Sequence, residues 1–369
     1  VTTDAPQHSQ PGALSQRLSG RHFIHPLFDT LVIGGGLSLP VLGLVLYSAR
    51  IPGLGGLAPF FESFGSSALL PWAILILTGT HFAASTVRLY TKPDAVANLP
   101  FLALGFPLVV FALLSLCIAR PVDFGWHLQA LYLTWSPYHY AAQAYGIAVM
   151  YCMRSGCVLA AREKSLLRAI ALAPFAYSFI SAAGAGLDWL APAALTDAEA
   201  TRSGLRMLRP LLMAVGLGGP LLLWLGFARR ATPMPVITAL ALAVNGIWWF
   251  FLPPIQAFVW ATFFHGLQYL AIVVIFHARE QTSRPGNRHG SFYHGVWFYT
   301  VCLLLAYAIF NCIPQAYVFA GFSLTESLLL VTAAINVHHF VVDGFIWRLA
   351  RDNRNRSIVD SGLPKPAGA

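Results

Sequence analysis

Charge is what this sequence lacks. Of its 369 residues only 10% are Asp, Glu, Lys or Arg, while 57% are hydrophobic. Soluble globular chains carry about 25% charged residues. So few charges cannot cover a water-facing surface, so most of the exterior must face lipid. The length would accommodate two or three soluble domains, but hydrophobic stretches occupy it and leave no room for one. A CxxC pair is also missing. The five cysteines, Cys117, Cys152, Cys157, Cys302 and Cys312, therefore form neither a disulfide framework nor a thiolate metal site. Cys152 and Cys157 flank a short basic turn and read as unrelated thiols. The polar stretch to about Gly20 lacks the basic start, apolar core and cleavage site of a secretory signal. No strand precedes the Gly34-Gly35-Gly36 run, so it is not a dinucleotide fingerprint. No internal repeat is visible, which removes support for an inverted-repeat transporter. The net charge of +9 comes from positive residues scattered over many loops. A nucleic-acid surface needs them clustered, so no nucleic-acid partner is expected.

What is present is a series of long apolar runs. A membrane-crossing helix needs about 20 such residues. Ten runs qualify: 28–48, 68–90, 99–119, 126–152, 166–190, 207–228, 233–251, 255–278, 294–314 and 322–350. Turn chemistry separates them, as in IPGLGG at 51–56, KPD at 92–94, TPMP at 232–235 and RPGN at 284–287. The Gly34–Gly36 run is expected to bend the first. The fold class is therefore all-α, a polytopic integral membrane bundle of about ten helices. Residues 28–350 form the membrane domain, 1–27 a polar N-terminal tail and 351–369 a C-terminal tail, with disorder expected up to about Gly20 and after Ile358. With ten crossings, eighteen of the 23 Lys and Arg residues fall on the side of the termini, and only Arg50, Arg120, Arg202, Arg206 and Arg209 fall opposite. The positive-inside rule then places both termini in the cytoplasm. A bacterial inner membrane is the expected location.

Twelve histidines in so apolar a chain demand an account. His8, His22, His25 and His289 belong to tails or loops, and His127, His277 and His294 to span ends. Five lie deep: His81, His139, His265, His338 and His339. Ionisable groups at that depth are costly and therefore functional candidates. All five lie on spans two, four, eight and ten, which run in one direction, and their depths agree within about 10 Å. Each deep histidine shares a helix face with a second polar group. His139 is paired with Gln143, His265 with Gln268 and Tyr269, His339 with Asp343, and His81 with Ser85 and Arg88. Metal-bound imidazoles need such partners for their other ring nitrogen. Gly146, Gly266 and Gly344 are expected to allow close helix packing there. Adjacent His338 and His339 point about 100° apart, so both reach one ion only if it lies between them.

Imidazole-rich sites suit transition metals: iron foremost, with copper or zinc possible. The expectation is a metal site on the five histidines, with Asp343 as a ligand or as the group that orients His339. Tyr269, Gln143 and Gln268 would supply hydrogen bonds or a proton. Arg88 would hold an anionic substrate head group. A cavity within lipid implies a lipophilic substrate, and the expected chemistry is oxygen-dependent hydroxylation, desaturation or double-bond cleavage. No flavin, nicotinamide or iron–sulfur motif is visible, so electrons would come from a separate donor protein. The HxxxH and HxxHH boxes of membrane desaturases and hydroxylases are absent. The His338-His339 pair resembles the copper-binding pair of haem–copper oxidases, but nothing else of that pattern can be placed here. Two alternatives remain open. The same histidines could ligate a haem or a pigment, making the chain a subunit of a larger electron-transfer or photosynthetic complex. They could also form a proton or metal relay in a transporter.

Overall fold

The structure, a computed structural model, describes residues 20–47, 74–92, 95–347 and 353–360, and is helical without strands among them. A bent entry segment, Pro26–Ile33, leads into α1, Ser38–Tyr47. The long helices that follow are α2, Thr80–Thr91; α3, Phe101–Ala119; α4, Trp126–Arg154; and α5, Ala161–Ser181. Then come α6, Glu199–Phe227; α7, Val236–Phe251; α8, Pro254–Thr282; α9, Ser291–Phe319; and α10, Leu324–Ile346. A last helix, α11, is Asn353–Asp360.

Five of these, α3, α6, α8, α9 and α10, are long and apolar enough to cross a membrane. The entry segment and α1 add a sixth if they form one span bent by 51°. Helix α4 is as long, but its sequence WHLQALYLTWSPYHYAAQAYG lowers its hydropathy. That polarity faces inward, with Ser136, His139 and Tyr140 all buried. The bend in the first span falls at the expected glycines. Gly35 has φ +73°, and a side chain there would meet Val244 and Gln268.

Boundaries differ from the sequence reading in places. The fifth helix ends at Ser181 rather than near 190, because Gly184 and Gly186 take positive φ and turn the chain. The sixth starts at Glu199, so the expected 191–206 loop is partly helix, tied by Arg202–Asp197 and Arg206–Glu199 pairs. At the N-terminus, residues from Gly20 dock against the bundle instead of trailing away: Phe23 is buried, and Asp29 accepts from the Phe23, Ile24 and His25 amides and from Tyr151. In the C-terminal region α11 packs on α4 and α8, where a free tail is expected. Arg154 contributes to this, donating to the carbonyls of His22, Ile358 and Val359, as does Asn355, which accepts from Arg88 and donates to the Ile346 carbonyl. The expected tail at 1–19, the IPGLGG turn, the start of span two and residues 361–369 lie outside the described residues.

At the centre, α8 and α10 each pack against both α2 and α4. The contacts advance together along the chains: His81 meets His265 and His339, while one turn on Ser85 meets Tyr269 and Asp343. Helices α2, α8 and α10 therefore run in the same direction and present their histidines at one level.

Candidate metal centre

His81 begins the site. A π-helical segment, Ile74–Gly79, runs directly into α2. Wide helical turns of this kind loosen the backbone ladder and are frequent at functional sites. Here the Thr78 carbonyl lies 2.8 Å from His81 Nδ1. A carbonyl only accepts, so Nδ1 carries the proton and Nε2 is left with its lone pair. That Nε2 is buried and has no hydrogen-bond partner. The His81 ring fits against α8 because position 266 is glycine. A Cβ there would come within 3.0 Å of His81 Nδ1.

His339 is fixed from the same side of its ring. Ser85 Oγ lies 2.6 Å from His339 Nδ1 and 2.7 Å from Asp343 Oδ1. Ser85 has one proton, which goes to the carboxylate, so its oxygen accepts from His339 Nδ1–H. The lone pair of His339 again sits on Nε2. This nitrogen is 3.1 Å from His139 Nε2 and 3.6 Å from Asp343 Oδ2. The same carboxylate oxygen is 3.7 Å from His139 Nε2. Tyr269 donates to Asp343 Oδ1 at 2.8 Å and accepts from Trp347 at 3.3 Å. His265 completes the group: its ring lies 5.1 Å from that of His81 and 4.9 Å from that of His139, and neither of its nitrogens has a hydrogen-bond partner. One possible ligand atom from each of His81, His265 and His339 lies within 4.8 Å of the others, and the same holds for His139, His339 and Asp343.

Nitrogens bound to one ion at about 2.1 Å stand roughly 3 to 3.4 Å apart. The His139–His339 pair already has that spacing. The wider pairs need to draw in by about 1 Å, a motion within reach of side-chain rotation. All five residues are buried, and the partnerless Nε2 of His81 and ring nitrogens of His265 are what an ion would satisfy.

The structure thus brings together four of the five deep histidines. His338 is not among them. It lies on another face of α10, stacked on Phe106 of α3 with ring centroids 5.4 Å apart, as the rotation between adjacent helical residues dictates. Gln143 and Gln268 touch no histidine ring nitrogen. Gln143 donates to the His265 carbonyl and to Gln268, and Gln268 donates to the Ile33 carbonyl, so together they tie α4 and α8 to the bent first span. Arg88 departs most from expectation. It is fully buried, 3.2 Å from Glu280, bonded to Asn355 and set over the Trp347 ring. Its charge is engaged by the protein itself, not by a substrate head group. Sequence reading paired Ser85 with His81 by their spacing of four; in the structure its hydroxyl serves His339 and Asp343 instead.

A cavity of about 540 Å³ adjoins the cluster between α4, α8 and α10. His139, Gln143, Tyr269 and Asp343 form its polar patch, and most of the remaining wall is aromatic or aliphatic. Gly146 and Gly344 border this space. Among the described residues a Cβ at either would meet nothing within 4 Å, so both leave room on the cavity side.

Comparison with known protein families, with characterised proteins and with solved structures returns no match.

Proposed function

We propose that this protein is a membrane oxidoreductase holding a transition metal, iron foremost, on His81, His139, His265 and His339, with Asp343 as a further ligand or as the charge beside the ion. The observation that carries the reading is the proton arrangement. Thr78 and Ser85 fix the Nδ1 protons of His81 and His339, so the Nε2 lone pairs turn inward, and His265 adds two nitrogens that have no other partner. Hydrogen bonding to the far nitrogen is how metal-bound histidines are oriented. Imidazole with one carboxylate favours iron, copper or zinc over magnesium or calcium.

Iron in this setting supplies oxygen binding and one-electron chemistry. The chain's own groups do the rest. Asp343 balances positive charge, Ser85 holds His339 in one tautomer, and Tyr269 presents a hydroxyl proton to the boundary between cluster and cavity. The adjoining apolar cavity suits a lipophilic substrate. Electrons come from a separate donor protein. The haem reading has less support, because the four imidazoles sit edge to face with centroids as close as 4.8 Å, leaving no slot for a macrocycle between them. In the membrane we place ten crossings with both termini cytoplasmic, because the Lys and Arg residues divide cleanly between the two sides.

The test is metal content after purification in mild detergent. His139→Ala and His339→Ala should each lose most of the bound metal, while His289→Ala, in an exposed loop, keeps it. Equal metal in all three sinks the assignment.

A further inference from the structure

The shape and charge of the cavity say what kind of molecule it takes. Along α4 its lining runs from Trp135 to Met150. Fifteen residues at 1.5 Å each make this about 22 Å. One leaflet's hydrocarbon is only about 15 Å deep, so the space is long, and with His139 in its wall it lies alongside the histidine cluster rather than beyond it. His139 stands four residues from one end and eleven from the other, which puts the cluster beside an interior point of any extended occupant. Gly146, two turns beyond His139 on the same helix face, opens the longer arm. Tyr138, Ala142 and Phe345 line the cavity and are exposed, so it opens sideways between α4 and α10.

The charge is equally informative. Among the described residues no lysine or arginine lines the cavity. Arg88, behind Trp347, is committed to Glu280 and Asn355. The one carboxylate present, Asp343, opposes an acidic ligand.

We propose that the cavity binds a neutral, linear long-chain lipid of the polyene or isoprenoid class, entering between α4 and α10 and lying along α4 with an interior carbon at the histidine cluster. An acidic lipid would set its charge against an apolar wall where no described cation pairs with it, and burying an unpaired charge is unfavourable. This inference rests on the metal reading for its catalytic meaning, but the binding it asserts can be measured without metal.

The test uses one conjugated chain in two charge states. The protein in lipid nanodiscs is titrated with parinaric acid methyl ester, and separately with parinaric acid at alkaline pH. Energy transfer from tryptophan, including Trp135 and Trp347 in the wall, reports occupancy. The ester should bind saturably and about tenfold or more tighter than the ionised acid. Gly146→Phe should abolish ester binding while Gly146→Ala retains it. As a readout independent of any variant, squalene should displace the ester and oleate should not. Equal binding of acid and ester overturns the neutral-chain class. Ester binding that ignores both Gly146→Phe and squalene overturns the cavity as its location. Metal content is measured on the same samples. Metal without ester binding fells this inference alone; ester binding without metal fells the metal reading and leaves this one standing.

Discussion

At the scale of single residues, the site is organised by proton ownership. Ser85 touches three groups at once, His339, Asp343 and Tyr269, and it is the hydrogen-bond partner of His339 Nδ1. Ser85→Ala should therefore lower metal affinity by about 10- to 100-fold, the usual consequence of losing the partner of a ligating histidine. Ser85→Thr, which keeps the hydroxyl, should recover part of it. Competition with a chromophoric chelator measures both. His338→Ala should leave metal content unchanged, since that ring stacks on Phe106 outside the cluster. Sequence reading singled out His81, His139, His265, His339 and Asp343 because ionisable groups deep in apolar helices stand out. It could not separate His338 from His339, because rotation about a helix axis is not visible until a neighbour is placed. Nor could it see that Arg88 is spent on Glu280, whose partner lies 192 positions away.

At the scale of elements, cluster geometry depends on how closely α2 approaches α8. Gly266 is the contact point, with His81 Nδ1 3.0 Å from where a Cβ would stand. Gly266→Ala requires the ring to give by a few tenths of an ångström. Gly266→Val places branched atoms against the imidazole and should remove most of the bound metal while the helices remain formed. Metal analysis with far-ultraviolet circular dichroism distinguishes this from unfolding. The helices themselves were largely legible, since apolar runs bounded by proline, glycine and charge declare themselves. Their ends were less so. Gly184 and Gly186 stop α5 through positive φ, and a glycine in sequence does not announce which conformation it will take. The π-helical segment before His81 left no sequence signal, yet it positions the Thr78 carbonyl.

At the scale of the whole molecule, both described ends of the chain dock on the bundle at one place. Arg154 holds them together through the His22 carbonyl and the carbonyls of Ile358 and Val359. Composition made this segment look like free tail, because the contacts use backbone carbonyls, which no residue pattern marks. The junction is sensitive to pH. Burial pushes the His22 imidazole below its usual value of 6.5, Asp29 draws it back, and Arg154 lowers it again. A histidine whose folded value is depressed contributes stability above 6.5 and loses it as pH falls below that point. The segment around Phe23 should thus exchange amide hydrogens faster at mildly acidic pH than at neutral pH. His22→Gln, which does not titrate, should flatten that dependence.

Protein purified in mild detergent without added metal should be taken directly to elemental analysis and visible spectroscopy. Near-stoichiometric iron, or copper or zinc in its place, is the expected result, with no haem or pigment band. Folded protein that contains neither metal nor chromophore would contradict it and leave the four histidines as partners in a proton relay.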